Sequence, residues 1–216
     1  MTETTHRILR IDSSLNGDNA VAAQLTHQWL SSAAQQGADL QVSQRDLSRT
    51  DLPHLTGEQH AGFSTPAAER SPHQQQAIEL SDTLIEELRA ADTIVLGVPL
   101  YNFGIPSSLK AWIDHVARSG ETFNYTSAGP VGTLTGKKVV VIATRGGIYV
   151  DEQAGSPNDN QTPFLKQVLG FIGLTDVEFV YAEGLAMSGR RNESLEQASA
   201  QLQALTEQLF PLAELA

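Results

Sequence analysis

The 216-residue chain contains no cysteine. That excludes disulfides, cysteine–zinc sites, iron–sulfur clusters and thiol nucleophiles at once. Positive charge is scarce: 14 Lys and Arg stand against 25 Asp and Glu, a net −11 with His neutral. A nucleic-acid binder needs a basic face to neutralise phosphates, and an anionic membrane surface attracts polybasic segments. This composition argues against both partners. No apolar run approaches the roughly 20 residues that span a bilayer. The opening MTETTHRILRIDSS lacks the cationic segment and long apolar core of a secretory signal. The expectation is a soluble, cytoplasmic protein. With 40% hydrophobic and 18% charged residues there is material for a sizeable core, and the length suits one α/β domain over residues 1–216.

Several motifs are also missing. SSLNGDNA follows the first apolar run where a dinucleotide fingerprint G-x-G-x-x-G would stand. Gly136-Lys137 is not a phosphate-binding Walker loop, because position 131 is Val and a strand-like run follows instead of a helix. Neither H-E-x-x-H nor G-x-S-x-G occurs, so a zinc protease and an α/β-hydrolase lack support. His54 and His60 do not form a recognised metal spacing, and no metal is expected.

What is present is an alternation of two patterns. Arg7–Asp12, Thr93–Val98, Lys138–Thr144 and Val177–Ala182 are apolar or β-branched runs, and Asp39–Asp46 alternates at Leu40 and Val42 like an exposed edge strand. Runs of this length suit parallel strands covered on both faces. Helical patterns lie between them. Ala20–Ala34 follows the first strand. Ser71-Pro72-His73-Gln74 is a capping-box start, and the helix it opens carries Leu80, Leu84, Ile85 and Leu88 on one face. Pro106 opens a helix with Leu109, Trp112, Ile113 and Val116 at i, i+3, i+4 and i+7; His115 on it reads as a surface residue. Thr162-Pro163 opens another, and a last helix runs from about Glu193 to Leu209. Strands alternating with helices predict a parallel sheet with helices on both faces. Leu52–Arg70 and Glu121–Gly136 read as irregular, and loops of that length are uncommon unless they serve a site or an interface.

Three loops follow strands and face the same edge of such a sheet, where ligands of open α/β folds gather. The first, Asp12–Asn19, enters a helix whose free N–H groups and dipole can hold a phosphate, with Ser14 as a hydroxyl donor. An ordinary capped turn is the competing reading. No Lys or Arg lies between residues 11 and 44, so an anion here would be held without a nearby cation in sequence. The second loop packs Tyr101, Asn102 and Phe103 together before Gly104. Aromatics give flat faces and Asn gives both a donor and an acceptor; a buried apolar corner would not need Asn between two rings. In the third, Thr144-Arg145-Gly146-Gly147, paired glycines let a ring lie close against backbone groups.

PLYNFGIPSSLKAWIDHVARSGETFNYTSAGPVG, ATRGGI and LGFIGLTDVEFVYAEG resemble the FMN-dependent NADH:azoreductases of bacteria, which belong to the flavodoxin-like quinone and azo reductases. The likeness runs from RILRIDSS to the final helix. It implies a flavodoxin-like fold with a five-stranded parallel sheet in the order 2-1-3-4-5, a homodimer, bound FMN, NADH as co-substrate and azo compounds or quinones as acceptors. By position, Ser14 would meet the FMN phosphate with Ala20, Val21 and Ala22 lining the same loop. Leu100, Tyr101, Asn102 and Phe103 would border the ribityl chain and flavin ring. Thr144, Arg145, Gly146 and Gly147 would border the ring's polar edge. Tyr125 and Phe171 match aromatics near the substrate face, Phe171 reaching across the dimer. Two departures stand out. Ala20-Val21-Ala22 replaces a hydroxyl-rich Ser-x-Ser stretch, and Tyr149 stands where the family often carries His, at the substrate side.

The chemistry of such an enzyme resides in the cofactor, which the protein orients. Two other readings stay open on sequence alone: a quinone reductase whose azo activity is incidental, and a flavodoxin-like electron carrier with no substrate reaction of its own. The long loops speak against a carrier. Direct bleaching of bound flavin by NADH separates enzyme from carrier.

Overall fold

The computed structural model describes residues 5–50, 52–149 and 158–210. In chain order the strands are β1 (His6–Asp12), β2 (Leu40–Asp46), β3 (Thr93–Pro99), β4 (Phe123–Thr126), β5 (Gly129–Gly132), β6 (Lys138–Thr144) and β7 (Asp176–Ala182). The helices are α1 (Val21–Gln35), α2 (Gly57–Gly62), α3 (Pro72–Ala90), α4 (Ser107–Val116), α5 (Gln161–Phe171) and α6 (Arg191–Leu209). Five strands form one sheet in the order β2-β1-β3-β6-β7, every pair parallel. Counted among the parallel strands alone, this is the order 2-1-3-4-5.

The apolar runs of β3 and β6 are explained by what covers them. Ile94, Leu96 and Val98 face one way, with Val139 and Val141, against Leu84, Leu88, Trp112 and Leu165 of α3, α4 and α5. Val95, Val140 and Ile142 face the other way, against Leu25, Trp29 and Leu202 of α1 and α6. Burying each Val, Leu or Ile side chain contributes about 1.5–3 kcal/mol. On the α1/α6 face the buried indole of Trp29 donates to Thr206 Oγ1 at 3.0 Å. β2 has a single neighbour and stays largely exposed, which accounts for its polar sequence.

Both stretches expected to be irregular contain elements. Residues 52–70 hold α2, started by a capping box between Thr56 and Gln59, and one 3-10 turn at Ala67–Glu69. Residues 121–136 hold the antiparallel hairpin of β4 and β5. His115 is not a surface residue but fully buried. Its Nε2 donates to the Pro53 carbonyl at 2.9 Å, so it faces the 52–70 segment, which lies over that flank of α4. The first helix starts at Val21, with Ala20 as its N-cap.

Candidate active site

The carboxyl ends of β1, β3 and β6 carry the three loops, and main-chain hydrogen bonds join them. β1 delivers Ser13, whose N–H and hydroxyl both donate to the Gly97 carbonyl of β3, at 3.1 and 2.7 Å. α1 then begins on the sheet itself: Ala20, Ala22 and Ala23 of its first turn are buried. Gly97 permits this, since a side-chain carbon there would sit 3.2 Å from the Ala22 methyl and 3.3 Å from the Asp12 carboxylate. Ala20 supplies no side-chain cap. The first-turn N–H groups have no intrahelical partners, and a Ser or Asp cap that stabilises other helices by about 1 kcal/mol is missing. Ser14 stands beside this helix start. Its Oγ accepts from Asn16 N–H at 3.3 Å and lies 3.1 Å from Tyr101 Oη, which accepts from Leu15 N–H at 3.3 Å. When Tyr101 donates to Ser14, the Ser14 proton is free for a ligand. Among cations, Arg49 comes beside Gly17, but Asp18 at 2.6 Å and Asp46 at 3.3 Å neutralise it.

The second loop is a two-residue reversal. Tyr101 and Gly104 exchange N–H···O bonds of 2.9 Å each. Asn102 and Phe103 at its tip have φ of 49° and 64°, the only non-glycine residues with positive φ among those described. Asn tolerates this region, but a bulky Phe in it is an outlier, and such strain clusters at functional sites. Phe103 is also 54% exposed.

The third loop is tied to the second by Leu100 N–H on the Thr144 carbonyl at 2.9 Å. Gly146 is open to solvent and Gly147 half-buried. The Tyr149 ring folds back over Gly147, where a side-chain carbon would lie 3.1 Å from it, and meets the Phe103 ring edge to face at 6.3 Å. At Arg145 the side chain and the backbone part company. Its side chain is wholly buried on the face of the sheet that α5 covers, in a cluster with Asp159 and Glu183, so it is the backbone that lies along the loop. A fourth loop, residues 183–190, was not singled out by the sequence reading. It bonds onto the third through Gly184 N–H to the Gly147 carbonyl (2.8 Å) and Ala186 N–H to the Gly146 carbonyl (3.1 Å). Gly184 and Gly189, both at positive φ, were its visible signal.

Tyr125 and Phe171 do not join this group within one chain. α5 starts at the loop edge, where Gln161 Nε2 donates to the Val98 carbonyl at 3.0 Å. It is about 16 Å long, and Phe171 is its last residue. There the Phe171 ring packs 4.3 Å from Phe123, which meets Tyr125 at 5.4 Å. Tyr125 is 74% exposed. These rings lie at the far end of α5 from the loops.

The sheet order and the loop edge define a flavodoxin-like protein, and a family model of that fold matches residues 6–206. An FMN-dependent NADH:quinone oxidoreductase of Cellvibrio japonicus is 46% identical over 196 residues, 91% of this chain and 96% of the relative. One of Alcanivorax borkumensis is 51% identical over 180 residues, 83% and 89% of the two chains. Among solved structures, an FMN-dependent NADH-azoreductase from Bacillus anthracis in complex with FMN is similar with a TM-score of 0.85 at 25% identity, covering 94% of this chain and 99% of that one. The chain belongs to the flavodoxin-like family, and within it to the FMN-dependent NADH:quinone oxidoreductases. Its residues fit that cofactor. An uncapped, buried helix start with a hydroxyl beside it suits a phosphate, and two rings and a glycine pair suit a flat heterocycle.

Proposed function

We propose that the protein passes electrons two at a time from NADH, through non-covalently held FMN, to quinones and azo compounds. The observation that carries this reading is the uncapped first turn of α1 beside Ser14, which the hydroxyl of Tyr101 reaches from the strained Asn102-Phe103 loop. Bound FMN would supply the redox chemistry, a two-electron exchange between NADH and the acceptor. The protein's part is to bind and orient. Ser14 and the N–H groups at Val21 and Ala22 hold the phosphate, with Ala20 shaping the turn. Leu100, Tyr101, Asn102 and Phe103 flank the ribityl chain and ring. The main chain of Thr144, Arg145, Gly146 and Gly147 offers N–H and C=O groups to the ring's polar edge. Tyr149 and Phe103 border the open face, where donor and acceptor bind in turn. This is a ping-pong scheme in a single-domain subunit working in the cytoplasm.

Homodimerisation is part of the proposal. Tyr125 and Phe171 stand at the far end of α5 from their own loops, so they serve a substrate face only across a twofold with a second copy. Most soluble homo-oligomers have such symmetry.

The deciding experiment is titration of apoprotein with FMN, followed by flavin fluorescence quenching. Ser14→Ala is expected to loosen binding about tenfold, as loss of a hydroxyl bonded to a charged oxygen would. Ala20→Ser with Ala22→Ser is expected to tighten it by up to about tenfold. Unchanged affinity in both variants would remove the phosphate from this helix start. Anaerobic NADH alone should bleach the bound flavin, which an electron carrier would not allow. Double-reciprocal plots at several acceptor concentrations should be parallel; intersecting lines would replace the ping-pong scheme with a ternary complex.

A further inference from the structure

We propose that Arg145 is a positioning residue whose guanidinium, buried between the sheet and the start of α5, fixes the orientation of the Gly146–Gly147 turn. The proposal rests on the reading that the flavin ring lies against that turn.

The guanidinium is fully enclosed, with its side chain 0% exposed. Its Nε donates to Gln161 Oε1 at 2.9 Å, Nη1 to Glu183 Oε1 at 2.9 Å, and Nη2 to Asp159 at 3.0 Å and Thr162 Oγ1 at 2.8 Å. The Tyr181 ring lies 4.9 Å from its central carbon. These partners come from different elements. Gln161 and Thr162 open α5, Asp159 lies just before it, and Glu183 follows β7. Gln161 in turn donates to the Val98 carbonyl of β3, one residue before Pro99 and the second loop. One side chain therefore braces the elements behind the second, third and fourth loops.

The backbone of Arg145 is held as well. Its N–H donates to the Ala182 carbonyl at 2.9 Å and its carbonyl accepts from Leu185 N–H at 3.1 Å. On the far side of the turn, Tyr149 N–H donates at 2.9 Å to Glu183 Oε1, the same oxygen that pairs with Arg145. The turn is thus clamped at both ends by one ion pair. Gly146 and Gly147 have no side chains and a wide choice of conformations; their direction is inherited from this clamp. Stability alone does not account for the cluster, because a buried ion pair is no better a stabiliser than well-packed apolar side chains of similar volume. Lysine, a single ammonium on a flexible stem, cannot reproduce the fork that reaches Gln161, Glu183 and Asp159 together.

The test uses full-length protein. Arg145→Lys is expected to weaken FMN binding to the apoprotein about tenfold and to change the visible circular dichroism of the bound flavin. Thr206→Val, on the opposite face of the sheet, is the control: it should lower Tm and leave both readouts as in the wild type. If Arg145→Lys lowers Tm but keeps wild-type affinity and dichroism, Arg145 is a brace only and the proposal is overturned. If Arg145→Lys does not fold, Asp159→Asn decides. It keeps an oxygen for the Gln161 and Thr162 N–H groups and removes one charge from the clamp. A change in the same direction supports the proposal, and none refutes it. Failure of the wild type to bind FMN would instead overturn the functional reading on which this rests.

Discussion

Phe103 holds a left-handed backbone conformation that costs a non-glycine residue about 1–3 kcal/mol. This inverts an ordinary ranking. Phe103→Gly is expected to be more stable than Phe103→Ala by about 1 kcal/mol, because both lose the ring but only alanine keeps the strain. Chemical denaturation of the two variants checks it, and an alanine variant equal to or above the glycine one would refute it. Asp159 supplies a pH prediction. Burial alone would raise its pKa, but the Thr162 N–H and hydroxyl and the Arg145 guanidinium outweigh that and hold the carboxyl below its usual range. The unfolded chain therefore takes up this proton first. The resulting stabilisation is complete above about pH 4 and disappears as the pH falls through the folded-state value. Urea midpoints between pH 6 and 3 should fall less steeply in Asp159→Asn; identical slopes would rule the contribution out. At this scale the site was partly legible. Tyr101, Asn102 and Phe103 stood out because their side-chain types make no sense as a plain turn. The direction of Arg145 is written in the strand's alternation. It shares the alternation of Val139 and Val141, and so falls on the face that α5 covers. No local pattern could announce that His115 would be buried, because the segment that covers it is distant in sequence.

At the level of elements, α3 begins where the sequence says it must. Gln74 N–H donates to Ser71 Oγ at 3.3 Å and Ser71 N–H to Gln74 Oε1 at 2.9 Å. Ser71→Ala should lower stability by about 1 kcal/mol, measured by denaturation; a loss near zero would mean that packing alone sets the helix start. The central strands were legible for the same reason that they are stable: both faces are covered, so β-branched residues run without interruption. The β4–β5 hairpin was not. GPVG carries no alternation and a proline, and four-residue strands are held by what they dock on. Here Gly132 lies against the backbone of Ile172 and Gly173 so closely that no side chain fits between them. Gly132→Ala is expected to cost about 3 kcal/mol and to displace the Phe123–Phe171 contact. A small change in Tm would show that the hairpin can slide instead.

Across the whole molecule, a net charge of −11 repels an anionic nicotinamide dinucleotide. The kcat/KM for NADH should rise several-fold from about 0.01 to 0.15 M salt, as the screening length contracts from about 30 to 8 Å. A falling rate would place a local positive field at the entrance. The sheet order has a further effect, on the chain while it is being made. β1 sits between β2 and β3, with Ile8 opposite both Val42 and Thr93. Its first partner follows within a few dozen residues, whereas the second is the chain's most deeply buried strand and comes far later. At about 5–20 residues per second, a growing polypeptide carries β1, with Ile8, Leu9 and Ile11 still uncovered on one open edge, for several seconds before β3 is made. Nascent chains arrested just before Thr93 should bind holdase chaperones strongly, and release them once β3 has emerged.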